Sequence, residues 1–231
     1  MKHQRSLSFL SVRMSLSMLR MLVCSWLCAT IFLSPLQADD KDADTLFREG
    51  VTAFYEAKPA ESVAAFDKLI TMVPSIAPQL WQRGLSLYYA EKYHEGRKQF
   101  ELHQTVNPND VENAAWHFIC VAKGEGVEAA RKVLIPIEGD TRVPMKEVHD
   151  LFAGKGTEAQ IMHAAEEGTA GSESLRNQLC YAHLYLGLYH EALGHPDEAK
   201  AHMIKAAVDY KMEHYMGKSA QVHAKLRGWV K

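Results

Sequence analysis

Large apolar residues, glycines and prolines recur along this chain with one stride. Leu46, Gly50, Phe66 and Pro74 reappear, without a gap, as Leu80, Gly84, Phe100 and Pro108, 34 residues further on. Each set puts a large apolar residue and a glycine on a first helix, an aromatic ring on a second, and a proline just past it. Glycine has no Cβ and admits a facing helix closely, while proline cannot continue a helix and marks its end. The pattern predicts helix pairs over about 43–76 and 77–110. A third clear pair lies over 180–212, where Leu186-Gly187 precede a turn at Gly194, and Ala199 and Ala206 follow on the second helix.

Between these pairs the register loosens. A degenerate pair fills 111–140, with helices over Val111 to Ala122 and Val127 to Ile135, a break at Gly124-Glu125-Gly126, and a stop at Pro136. An irregular hairpin follows over 143–168, with helices over Met145 to Phe152 and Glu158 to Glu167 bounded by Pro144 and by Gly154, Gly156 and Gly168; Thr157 is placed to cap the second. A last helix from Glu213 to Trp229, carrying Tyr215, Val222 and Leu226, is positioned to cover the open end of the stack. The single β-branched cluster, Val133 to Ile137, is interrupted by Pro136, so the expected fold is all-α.

The first stretch has a different character. Lys2, Arg5, Arg13 and Arg20 precede an apolar run from Met21 to Leu33, and Ala38 stands just before Asp39-Asp40. That is the layout of a signal peptide over 1–38, cleaved after Ala38, which directs the remaining 39–231 to the periplasm or outside the cell. Thirteen apolar residues make roughly 20 Å of helix against about 30 Å of hydrocarbon, so a membrane anchor is expected only if the leader is retained. Losing four of the 26 basic residues leaves 22 against 28 acidic ones, a formal charge of −6. No nucleic-acid partner is expected from such a chain.

The 34-residue period resembles the tetratricopeptide-repeat family. The order of clear, degenerate and off-register pairs resembles that of periplasmic tetratricopeptide lipoproteins that act as adaptors for peptidoglycan hydrolases. Arg83-Gly84 with Leu87-Tyr88-Tyr89, Asn107-Pro108-Asn109-Asp110, and Tyr185-Leu186-Gly187 carry that likeness, although no lipobox is present. The resemblance implies hairpins stacked as a short right-handed superhelix with a C-terminal capping helix. It also implies a non-catalytic, homodimeric scaffold for a protein or peptide partner. Projected onto this chain, the family's inward positions are Phe47, Val51, Phe54 and Tyr55, then Trp81, Leu85, Tyr88 and Tyr89, then Tyr181, Leu184 and Leu188. These are the candidate partner-binding groove, with packed core as the competing assignment. Two alternative functions stand beside the adaptor: a metal- or small-molecule-binding accessory protein using histidines of the last hairpin, and a purely structural homodimer.

Chemistry along the chain is sparse, and no cofactor is expected. His183 and His190, like His195 and His202, are seven apart, and about 10.5 Å is too long a span for two ligands of one ion unless other helices contribute. Cys180 and His183 have a spacing that brings thiol near imidazole, but no orienting third residue or oxyanion hole accompanies them. Cys120 and Cys180 fall on helices separated by a whole hairpin, so two free thiols are expected. Glu49 and Arg83 occupy equivalent places just before the repeat glycines, which suggests an ion pair between successive repeats.

Overall fold

Every interval of helical periodicity is a helix in the computed structural model, which describes residues 34–230, with side-chain surroundings from residue 42 onward. Among the described residues the fold is all-helical, without strands. The helices are α1 (Ser34–Tyr55), α2 (Pro59–Met72), α3 (Trp81–Tyr89), α4 (Tyr93–His103), α5 (Val111–Glu125) and α6 (Val127–Lys132). They continue as α7 (Met145–Phe152), α8 (Glu158–Glu166), α9 (Glu173–Leu193), α10 (Pro196–Ile204) and α11 (Tyr215–Leu226). Ala43–Lys231 form one compact unit. Residues 1–33 of the predicted leader lie outside the described residues, and the predicted cleavage position falls within the backbone span of α1. No described helix is long and apolar enough to cross a membrane.

Several boundaries differ from expectation: α5 runs through Gly124 to Glu125 rather than stopping at Ala122, α11 spans Tyr215–Leu226 rather than 213–229, and two others have a visible local reason. Helix α9 begins at Glu173 rather than near residue 180, because Ser172 accepts a hydrogen bond from the Leu175 amide and caps a longer helix. Helix α6 ends at Lys132 rather than Ile135, since Pro136 follows too closely for another turn. Thr157 does cap α8, in a reciprocal box with Gln160.

The repeat-defining residues hold the first hairpins together. A Cβ added to Gly50 would lie 2.7 Å from the Phe66 ring, and one added to Gly84 would lie 2.5 Å from the Phe100 ring. Both rings are fully buried, as is Leu80, whereas Leu46 is half-buried and Pro74 and Pro108 lie at exposed helix ends. In the last hairpin a Cβ at Gly187 would lie 3.3 Å from the Ala199 carbonyl oxygen, and Ala199 and Ala206 are both buried. Gly194 turns the chain with φ +78. Arg83 does not pair with Glu49: its Nε donates to Asp67 on α2 at 2.7 Å and its Nη1 to Gln99 on α4 at 3.1 Å. The guanidinium reaches across to the second helices on either side, where Gln99 in turn donates to the Ala77 carbonyl at 2.8 Å.

Candidate functional site

The eleven inward positions lie on α1, α3 and α9, yet they do not line an open groove. Phe54, Leu85, Tyr88, Tyr89, Tyr181, Leu184 and Leu188 are buried, and Phe47, Val51 and Trp81 are half-buried; Tyr55 is the most exposed, at 36%. Helix α11 covers Phe54, Tyr55, Trp81 and Tyr89, while Phe47 and Val51 pack against Phe66, Leu69 and Leu80. The Tyr215 ring of α11 stacks on Phe54 at 5.2 Å, sits 5.2 Å from Tyr55, and meets Trp81 edge-on at 4.8 Å. Aromatic faces that an unclosed stack would present are thereby used internally, each pair adding to the burial of apolar area.

Beneath this lid a half-buried carboxylate, Glu191, joins the first hairpins to the last. Tyr88 Oη donates to Glu191 Oε1 at 2.7 Å, and Arg227 Nη2 donates to the same oxygen at 2.5 Å. His223 Nε2 stands 2.8 Å from Glu191 Oε2, an ion-pair distance off the hydrogen-bond line. Burial pushes the Glu191 carboxyl up, but His223 and Arg227 outweigh it and hold the group well below the usual carboxylate range.

Trp81 and Leu85 border a cavity of 140 Å³ together with Phe100, His103, Asp110, Glu112, Asn113, Trp116 and Met216. Two of its buried polar atoms, Trp116 Nε1 and Asn113 Oδ1, have no hydrogen-bond partner. Asn113 is held in place by its amide nitrogen, which donates to Phe100 O at 3.1 Å and to Gln104 at 3.0 Å. One side of the cavity is charged. Arg142 fans its guanidinium over Asp110, Glu112 and Asp140, each at 2.6 Å. Burial nevertheless pushes Glu112 up to about 7, against the pull of Arg142 and with Asp110 adding to the rise. None of Glu112, Asn113, Trp116 or Arg142 stands out in sequence, because each matters only through contacts with distant segments.

Cys120 and Cys180 are free and buried. The Cys180 thiol donates to the Ala206 carbonyl at 3.6 Å, and burial pushes it up to about 12, which disfavours the thiolate a nucleophile requires. His183 turns instead toward His202, their Nδ1 atoms 2.8 Å apart. His190 and His195 pair likewise across the same hairpin, Nδ1 to Nδ1 at 3.4 Å. The two pairs are symmetric about the turn that joins α9 to α10, which was the available sequence signal; a search along single helices misses it. No family model matches the chain.

Proposed function

We propose that the protein is an exported, non-catalytic scaffold of tetratricopeptide type. Its hairpins form a short right-handed superhelix capped by α11, and it holds a partner polypeptide at the inner cavity. The observation that carries this reading is the pair of unpartnered groups there, an indole N–H and an amide oxygen fixed on the same helix, α5. A peptide unit carries the matching acceptor and donor, and a buried polar group left unmatched costs about 1–3 kcal/mol, so a bound peptide group offsets a standing cost. The half-buried face of Trp81 supplies apolar wall beside them. At 140 Å³ the cavity suits one inserted side chain or peptide unit and is small beside the roughly 300–1,000 Å³ of small-molecule sites. The protonated thiols and the absorption of the inner tyrosines into packing support a non-catalytic role.

A photo-crosslinking residue placed at Trp81 in the full chain tests the reading in the envelope of the producing cell. A discrete adduct with one polypeptide is expected, and it should weaken when Asn113→Leu is added. Absence of any adduct, with a control probe at exposed Val208 behaving identically, counts against the adaptor.

A further inference from the structure

We infer that Glu158, His190 and His202 form a binding site for a divalent first-row transition ion, with Zn²⁺ the ion its donors suit best. One ligand atom from each, supplied by α8, α9 and α10, lies within 4.8 Å of the others. The site is independent of the inner cavity and of partner binding.

Three features distinguish the cluster from imidazoles scattered over a helix surface. His190 is only 6% exposed, and its Nε2 has no hydrogen-bond partner, although Glu158 Oε1 lies 3.1 Å away. At 3.1 Å the ring nitrogen and the carboxylate oxygen stand close to the ligand-to-ligand separation of a tetrahedral ion. Next, the other nitrogen of the ring is engaged, since His190 Nδ1 faces His195 Nδ1 at 3.4 Å; His202 is steadied in the same way by His183, Nδ1 to Nδ1 at 2.8 Å. Metal-ligating histidines characteristically hold their second nitrogen against such an outer partner, which fixes ring and tautomer. Finally, the His190 and His202 rings lie nearly parallel, 12° apart with centroids at 5.6 Å, so their edges are presented side by side.

The donor set selects the ion. Two imidazoles and a carboxylate suit Zn²⁺ and its neighbours, whereas Mg²⁺ and Ca²⁺ require oxygen ligands throughout. Bond lengths of about 2.0–2.2 Å in a tetrahedron separate ligand atoms by about 3.4 Å. Closing from as much as 4.8 Å requires up to about 1.4 Å of adjustment. Glu158 already stands 3.1 Å from His190, so that adjustment falls on the approach to His202. Three protein ligands leave the fourth position to water. An ion held there ties the irregular hairpin, through α8, to both helices of the last hairpin.

The test is titration of the full chain, carrying no histidine tag and stripped of metal, with Zn²⁺ against a chromophoric chelator. One equivalent should bind, raising the melting temperature, and Co²⁺ in its place should give the intense visible bands of a four-coordinate site. Glu158→Gln and His202→Ala, both at partly exposed positions and checked for helix content first, should each weaken Zn²⁺ by more than about tenfold and abolish the thermal shift. His163→Ala, at an exposed position on α8, should change neither. Zinc held equally tightly by either ligand variant, or no zinc bound by the wild type, overturns the assignment.

Discussion

A methyl group at position 84 has nowhere to go. The Cβ of an alanine there would sit 2.5 Å from Phe100 Cζ and 2.7 Å from Cε1, and that ring is 1% exposed, enclosed by the core. Gly84→Ala should therefore destabilise the protein by about 1–3 kcal/mol, read from the urea midpoint at unchanged slope. Adding Phe100→Leu should cost less in the Gly84→Ala background than in the wild type, because the shorter side chain vacates the contested volume; strict additivity would show that the two side chains do not compete. This contact was legible in sequence, since a glycine and a phenylalanine repeated at one stride have few ways to meet. The Arg83 partner was not. A guanidinium reaches several ångströms, and its choice of Asp67 and Gln99 over Glu49 depends on which faces of α2 and α4 turn toward it.

The helix ends show a second regularity. Helices α1, α3, α7, α9 and α11 all stop with a left-handed residue and the same pair of backbone hydrogen bonds. At Ala57 the pair is Ala57 N to Phe54 O and Lys58 N to Ala53 O, both at 2.9 Å; 34 residues on, it is Glu91 N to Tyr88 O at 3.0 Å and Lys92 N to Leu87 O at 2.9 Å. Gly154, Gly194 and Gly228 do the same work at the other ends. Glycine announces such a stop; alanine and glutamate do not, so the stops at Gly154 and Gly194 were readable and those at Ala57 and Glu91 were not. A left-handed residue with a side chain costs roughly 1–2 kcal/mol, and glycine gives back about 0.4–1 kcal/mol through its freer unfolded chain. Glu91→Gly should accordingly stabilise the protein by about 0.5–1 kcal/mol net in urea denaturation. An equal loss of stability would mean that the φ of +59 at Glu91 carries no strain.

Closure of the first hairpins by α11 is a property of the whole molecule, and it decided where sequence reasoning stopped. Spacing located Phe54, Trp81 and Tyr215 on their helices, but their meeting joins segments more than a hundred residues apart, and no local pattern encodes it. Two carboxylates brought out of water by the tertiary fold titrate in opposite senses. Glu191 is held low, so its contribution is present above 4.5 and lost as pH falls. Glu112 is raised from 4.5 to about 7, so its contribution is complete below 4.5 and is lost as pH rises through 7. Burial also lowers His117, His183, His202 and His223, whose contributions are present above 6.5 and lost in acid. The wild-type profile is thus a sum of opposing trends, and the difference between wild type and Glu112→Gln isolates one of them. At pH 4.5 and below the two proteins should be about equally stable, because Glu112 is then uncharged in the wild type. By pH 8 the variant should lead by about 3 kcal/mol, the free-energy equivalent of the rise from 4.5 to about 7. Urea denaturation at several pH values measures the gap, and a gap that stays constant from pH 4.5 to 8 would place Glu112 in contact with water and leave the Arg142 fan an ordinary surface ion-pair network.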